Sequence, residues 1–344
     1  MTTHRIDLHT RDGQQLHFDC EAGLSLLDAA EAAHITLPAQ CRQGSCGACH
    51  AQVRSGDYQL GEHSAHALPA AGPHTRSILM CRTTPCSDLQ VELPCDHAQL
   101  QFHTVPRRSA SVVRLTPLAD HTVQLVLQLA PDDTLGSAAE FEPGQFMELE
   151  LPGTGVRRAY SLANTGNWDG TLEFMIRLQP GGQFSGFLRD VAQPGMTLAV
   201  RGPLGGFGID PASLRPRWLL AGGTGLAPML SILRRMADYQ EPQPVRLFFG
   251  VNRESELFAL DELQGLQTAL PQLQVTLCVW QPQAGWTGHS GTPVEALRLA
   301  LADQPGPPDL YLCGPPALID AAQQTALAAG VPAAQVFSER FVSG

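Results

Sequence analysis

The 344-residue chain contains no lysine: all 22 of its basic residues are arginines, a pattern that reads as the coding bias of a GC-rich genome and carries no function. Cations are also in the minority, 22 against 33 acidic residues, for a net charge of −11. That balance argues against a polyanion such as DNA as a partner of the whole chain. No run approaches the ~20 apolar residues that a membrane span requires. The polar opening from Met1 to Asp7 lacks the apolar centre of a signal peptide. A soluble, cytoplasmic protein with no nucleic-acid and no membrane partner is therefore expected. Disulfides are rare in that compartment, so nine cysteines point to metal or redox chemistry.

The length and the 43% hydrophobic composition allow two to three domains. Residues 1–98 hold seven of the nine cysteines: Cys20, Cys41, Cys46, Cys49, Cys81, Cys86 and Cys95. Strand-like runs at Arg5–His9 and Gln14–Asp19 flank the turn Asp12-Gly13. Ser25 followed by Asp28 has the form of a capping box, and Leu26, Leu27, Ala30 and Ala33 then recur at helical spacing. Pro38 is expected to end that helix. Residues 99–107 read as a linker. From 108 to 208 short strands alternate with Gly/Pro turns (Val112–Leu115, Thr122–Leu129, Gln145–Glu150, Thr171–Arg177, Thr197–Arg201), a spacing that suggests an antiparallel β-barrel. From 209 to 344 strands at Trp218–Ala221, Val245–Phe249, Val275–Val279 and Leu310–Leu312 alternate with helical stretches at Met229–Met236, Leu257–Leu266, Val294–Leu301 and Ala317–Ala329. That rhythm implies a parallel sheet with helices on both faces.

Cys41, Cys46, Cys49 and Cys81 have the spacing C-x4-C-x2-C…C of a plant-type [2Fe–2S] cluster. Four thiolates must converge on two irons, so three come from one tight loop and the fourth from a distant segment. The small residues Gly44, Ser45, Gly47 and Ala48 let backbone N–H groups approach the sulfur atoms. The same stretch also matches C-x-x-C-H at Cys46–His50, the attachment motif of c-type haem. That reading would leave Cys41 and the small spacers unexplained. A zinc site would have an unusual spacing, and a Rieske centre needs two histidines, for which His50 is misplaced. Cys20, Cys86, Cys95 and Cys278 need no cofactor and read as core or partly exposed thiols.

A flavin needs an aromatic or apolar surface for its ring, a hydrogen-bond donor near N5, and cations with free N–H groups for its pyrophosphate. In Arg158-Ala-Tyr-Ser161, which follows a predicted strand, Tyr160 offers the surface, Ser161 the donor and Arg158 the charge. Gly181, Gly182 and Ser185 read as the start of a helix, whose N-terminus suits phosphate. Further on, Gly222-Gly-Thr-Gly225 leads from a strand into a helix, with Thr224 inside the turn and Pro228 in the first helical turn. Pro228 stands where the dinucleotide fingerprint has its last glycine, so the turn is not that fingerprint. A second turn, Cys313-Gly314-Pro315, ends a later strand. Ligands of open α/β sheets collect at the carboxyl ends of strands, so both turns can face one nucleotide. In the closing segment, Glu339 and Phe341 suit either edge-strand packing or the flavin–nicotinamide contact.

The order of cluster loop, R-x-Y-S barrel and G-G-T-G/C-G-P-P sheet resembles the ferredoxin–NAD(P) reductase superfamily carrying an N-terminal plant-type ferredoxin domain. It is most similar to the reductase components of bacterial aromatic ring-hydroxylating dioxygenases of the benzoate and anthranilate type. Arg54-Ser-Gly-Asp-Tyr58, Thr287-Gly-His289 and Glu339-Arg-Phe341 add to the likeness. The resemblance implies a multidomain α+β and α/β fold: a β-grasp [2Fe–2S] domain, a flavin barrel and a nicotinamide domain. It implies FAD on Arg158, Tyr160, Ser161, Gly181, Gly182 and Ser185. It implies NADH on Gly222, Gly223, Thr224, Gly225, Cys313, Gly314 and Pro315, with Ser161, Cys313, Glu339 and Phe341 at the reacting centre. Cys41, Cys46, Cys49 and Cys81 hold the cluster in that family. Electrons would pass from NADH through FAD and the cluster to a separate terminal oxygenase, of Rieske type, and the chain would be a monomer. The alternatives are a reductase for a diiron aromatic or alkane monooxygenase, and a redox sensor without turnover. NADPH-preferring relatives carry a Ser/Arg pair for which this chain offers only Arg253, so NADH is expected. Residues 59–77, rich in Ala, Pro and His, depart from the family's acidic pattern.

Overall fold

The computed structural model describes residues 2–65, 67–68, 76–102 and 104–341, so part of the 59–77 segment and the tail after Phe341 lie outside the described residues. The chain forms two compact units that divide between Pro106 and Arg107.

In the first unit, β1 (Thr3–His9) and β2 (Gln15–Glu21) form a hairpin. α1 (Leu26–Ala32) starts where Ser25 Oγ accepts the Asp28 N–H at 3.1 Å. The helix stops well before Pro38. His34 turns left-handed at φ +60°, and Ile35 N–H returns to the Ala30 carbonyl at 2.8 Å, so local closure ends the helix before proline can. β3 (His50–Ser55), β4 (Tyr58–Leu60), β5 (Ser77–Leu79), β6 (Thr83–Pro85) and β7 (Leu89–Glu92) follow. The main sheet has the order β2-β1-β7-β3-β5, with β1 and β7 parallel, the mixed arrangement of a β-grasp. β4 and β6 pair separately. Ile6, Leu8, Leu26, Leu27, Ile78 and Leu79 are fully buried between sheet and helix. Leu100 joins this core and Gln101 bridges to Thr36. The first part of the expected linker is thus packed, because an apolar Leu100 gains more from the core than from water.

In the second unit, β8 (Arg107–Ala119), β9 (Thr122–Leu129), β10 (Phe146–Glu150), β11 (Arg157–Ser161), β12 (Thr171–Arg177), α2 (Gln183–Asp190) and β13 (Thr197–Leu204) come first. Their antiparallel sheet runs β11-β10-β13-β8-β9-β12. A bridge between Leu162 and Phe174, with Ala163 N–H on the Glu173 carbonyl at 2.8 Å, joins its two ends. Leu172, Phe174 and Ile176 alternate inward on β12 and meet Leu125, Leu127 and Leu149. Arg158–Ser161 is itself a strand, β11, and does not merely follow one.

The parallel part contains β14 (Arg217–Gly222), α3 (Leu226–Asp238), β15 (Val245–Val251), α4 (Leu260–Ala269), β16 (Leu273–Val279), β17 (His289–Ser290), α5 (Pro293–Ala302), β18 (Asp309–Gly314), α6 (Pro316–Ala328) and β19 (Val336–Arg340). α4 begins later than Leu257, because Ala259 is left-handed at φ +59° and breaks the helical run. The order is β17-β16-β15-β14-β18-β19, all parallel. Leu219 and Ala221 of β14 pack on the α3/α4 side, and Trp218 and Leu220 on the α5/α6 side. β14 has β15 on one side and β18 on the other, so strand order reverses here and a crevice opens at the carboxyl ends. Among the described residues no helix is long and apolar enough to cross a membrane.

Candidate functional site

The cysteine loop between α1 and β3 and the single Cys81 just after β5 bring four thiols together in two pairs. Cys49 and Cys81 sulfur atoms are 3.3 Å apart, and Cys46 Sγ accepts the Cys41 N–H at 3.5 Å. Two further N–H groups, from Gln43 and Ser45, point at Cys41 Sγ, each at 3.4 Å. Among the described residues no three metal-ligating side chains converge on one point. A [2Fe–2S] cluster asks instead for two thiolates on each of two irons, and paired cysteines fit that demand. Cys46, Cys49 and Cys81 are buried and Cys41 is half-buried. The Cys46 thiol hydrogen-bonds to Cys41 and draws its pKa down, while Cys46 itself is pushed up by that bond and by burial. Cys49 lowers Cys81 in the same way. Cys46 and Cys49, which a haem motif would use together, belong to different pairs. Gly44 adopts φ +74°, and a Cβ there would press on Arg82 and on the Glu62 carbonyl, so only glycine lets the loop close this tightly. Arg42, left-handed at φ +55°, ties the loop to α1 through Glu31 and Asp28. Glu31 belongs to no motif and Asp28 is marked only as a capping residue, so this anchor is invisible in sequence.

The flavin candidates gather on β11 and at the start of α2. Tyr160 is packed on Phe184, ring centroids 5.2 Å apart, and its burial raises its pKa. Arg158 gives one N–H to the Arg157 carbonyl at 2.8 Å, and among the described residues no carboxylate pairs with it. Gly182 caps α2, and Ser185 Oγ accepts the Gln179 N–H at 2.8 Å, which folds Gly181 and Gly182 over the helix start. A Cβ on Gly182 would press on Ser185 Oγ and the Gln179 carbonyl, so this turn is a cradle without side chains. A flavin with a pyrophosphate fits such residues: a free guanidinium, a helix start and an aromatic face.

The nicotinamide candidates lie at the carboxyl ends of β14 and β18. Gly223–Gly225 form one tight turn that runs directly into α3, with Gly223 and Thr224 partly open and Gly225 buried. A Cβ on Gly225 would run into the Cys313 carbonyl oxygen, so the turn lies directly on the end of β18. Pro315 is exposed and Gly314 buried beside it. Phe341 N–H closes on the Gly314 carbonyl at 2.8 Å.

The two sets meet at one contact. Ser161 Oγ, from the barrel, donates to Glu339 Oε2, from β19, at 2.9 Å, and both side chains are buried. Strand register sets Glu339 beside Cys313. Burial lifts Glu339 to about 7 against the opposing hydrogen bond from Ser161. Burial also lifts the Cys313 thiol well above its ordinary value, and Glu339 adds to it. Near neutrality this centre therefore holds a neutral thiol beside a carboxyl poised between its two protonation states.

A second contact escaped sequence reading. Arg234 on α3 reaches Glu262 Oε1 of α4 at 2.6 Å, Glu173 Oε2 of β12 at 2.9 Å and the Ala163 carbonyl at 3.1 Å. Ser231, fully buried on the same helix, donates to the Asn164 carbonyl at 2.6 Å. The available signal was a serine and an arginine three residues apart on a largely apolar helix that also carries Arg235 and Asp238.

Fold and site together define an oxidoreductase of the FAD- and NAD-binding kind with an iron–sulfur domain. The family descriptions that match agree: a 2Fe-2S iron-sulfur cluster binding domain at residues 9–86, an oxidoreductase FAD-binding domain at 109–209 and an oxidoreductase NAD-binding domain at 219–324. The alkene monooxygenase system ferredoxin–NAD(+) reductase component of Xanthobacter autotrophicus is 37% identical over 97% of this chain and 100% of its own. Methane monooxygenase component C of Methylosinus trichosporium is 36% identical over 87% of each chain, and the toluate 1,2-dioxygenase electron transfer component of Pseudomonas putida 32% over 99% of each. The solved structure of an Amycolatopsis cytochrome P450 reductase, GcoB, superposes with a TM-score of 0.79 at 30% identity, covering 98% of this chain and 99% of that one. The ferredoxin reductase in carbazole 1,9a-dioxygenase follows at 0.76 and 28%, covering 99% and 100%. The chain belongs to the family of iron–sulfur flavoprotein reductases that serve as electron-transfer components of oxygenase systems.

Proposed function

We propose that this chain draws electron pairs from NADH and delivers single electrons to a separate terminal oxygenase. When bound, the nicotinamide supplies a hydride, the flavin splits the pair and the cluster carries one electron at a time. The observation that carries this reading is the buried Ser161–Glu339 contact beside Cys313, where the barrel and the end of the parallel sheet share one reacting centre. Ser161 offers its hydroxyl toward the flavin ring and Tyr160 its aromatic face. Arg158, Gly181, Gly182 and Ser185 hold the pyrophosphate. Gly222, Gly223, Thr224, Gly225, Gly314 and Pro315 hold the nicotinamide nucleotide by backbone, and Cys313 lines its ring. Glu339 holds or releases a proton at its carboxyl, and Phe341 excludes water from the centre. Cys41, Cys46, Cys49 and Cys81 ligate the cluster. NADH is favoured over NADPH because the turn after β15 offers the single Arg253 followed directly by the acids Glu254 and Glu256, a poor welcome for a 2′-phosphate.

Two partners fit. A Rieske-type dioxygenase agrees with the sequence resemblance and with the toluate dioxygenase relative. A monooxygenase hydroxylase, of the diiron kind, is favoured by the higher identities to the alkene and methane monooxygenase components, and we place it first. An absorption spectrum with iron, sulfide and flavin analysis tests the cofactor set. Two irons, two sulfides and one FAD per chain are expected, and protein that takes up neither iron nor flavin on reconstitution defeats the proposal. Electron delivery to a purified Rieske oxygenase, compared with a purified diiron hydroxylase, then separates the partners.

A further inference from the structure

Hydride transfer asks for two rings held face to face with their reacting atoms about 3–3.5 Å apart, yet the residues proposed to hold them sit on separate sheets. The flavin strand β11 runs on through Leu162 to Asn164. Those residues are fastened to β12: Ala163 N–H bonds the Glu173 carbonyl at 2.8 Å, Glu173 N–H bonds Asn164 Oδ1 at 2.9 Å, and Asn164 Nδ2 bonds the Thr171 carbonyl at 2.8 Å. The nicotinamide turn Gly222–Gly225 runs into α3 without a break. Two turns into α3, Ser231 and Arg234 grip this barrel segment, at the Asn164 carbonyl, the Ala163 carbonyl and the Glu173 carboxylate. The Ala163 carbonyl lies only two residues beyond Ser161.

We infer that Arg234 is a positioning residue for hydride transfer: its guanidinium locks the helix that carries the nicotinamide turn to the strand that carries the flavin residues. The inference rests on the flavin–nicotinamide reading above. The geometry favours this role over simple stabilisation. One guanidinium spans two carboxylates in two different substructures, Glu173 on the barrel and Glu262 on α4, each at under 3 Å. Side-chain exposure of 23%, 20% and 30% for Arg234, Glu173 and Glu262 leaves the cluster largely shielded, where such contacts hold geometry well. A planar, forked cation can meet both acids and a carbonyl at once, which a lysine cannot.

Glu173 and Glu262 provide an internal control. Both pair with the same guanidinium, but only Glu173 lies across the junction. In the full-length holoprotein, Arg234→Gln and Glu173→Gln are expected to keep their FAD and cluster content. Their kcat for NADH-dependent ferricyanide reduction should fall roughly ten- to hundredfold, with KM for NADH changing less than about threefold. The isotope effect with 4-deuterated NADH should rise as the transfer step becomes limiting. Glu262→Gln should turn over like the wild type. Independently of turnover, amide hydrogen exchange at residues 162–165 and 222–225 should quicken together in Arg234→Gln and Glu173→Gln and not in Glu262→Gln. Should Arg234→Gln fail to fold, Glu173→Gln and Ser231→Ala carry the comparison. Wild-type turnover and exchange in the junction variants, or equal damage from Glu262→Gln, would overturn the positioning role. A wild-type protein without NADH-dependent reduction would instead defeat the functional reading, and the exchange measurement would still decide whether the two elements are locked.

Discussion

At the scale of single residues, Glu339 is the most informative group. Its carboxyl is raised from an ordinary value near 4.5 to about 7 by burial, so between those pH values the folded state binds a proton that the unfolded state has released. Stability from this group is full below about pH 4.5 and is lost as pH rises through 7. Thermal unfolding of the wild type should therefore show a falling stability across that window, by up to roughly 3 kcal/mol, and Glu339→Gln should flatten it. A slope unchanged in Glu339→Gln would assign the titration elsewhere. The gathering of four thiols into two pairs was readable from the cysteine spacing. The Ser161–Glu339 contact was not readable as a pair: 178 positions separate the two, and only the strand register of β19 against β18 brings the acid to the barrel. Arg234 and Ser231 were hidden for a related reason, since their partners are two backbone carbonyls and two acids that no motif marks.

Among elements, legibility followed patterning. β9 and β12 carry an apolar residue at every second position, and their observed ends coincide with the sequence expectation. β11 was missed because Arg157-Arg-Ala-Tyr-Ser161 shows no alternation: it lies at one end of the sheet order, and most of its side chains are only partly covered. α5 shows what a strong local signal looks like. Pro293 opens it, and Thr292 and Glu295 close a reciprocal capping box. Thr292→Ala should cost about 1 kcal/mol in denaturant unfolding, through loss of that cap. A cost near zero would mean that Gly250 packing on Pro293 alone fixes the helix start.

For the whole molecule, two compact units imply separable chemistry. Cys46→Ser should abolish cytochrome c reduction, which needs single electrons from the cluster, while NADH-to-ferricyanide turnover persists. Joint loss of both activities would argue against divided roles. Residues 1–98 carry six arginines and eleven acids, a net of −5. Delivery to the oxygenase should accordingly slow as ionic strength rises, if a basic surface on the partner receives this unit, and a flat salt profile would remove charge from the docking step.

One of the two outermost strands of the parallel sheet, β19, is also the strand that bears the buried Glu339. A protease that cuts the turn at Ala333–Gln335 would detach both in one stroke, exposing the edge of β18 and stripping the proposed reacting centre. Inactivation and loss of structural integrity are thereby a single event, and a nicked molecule that still consumed reductant while shedding its fold would not accumulate.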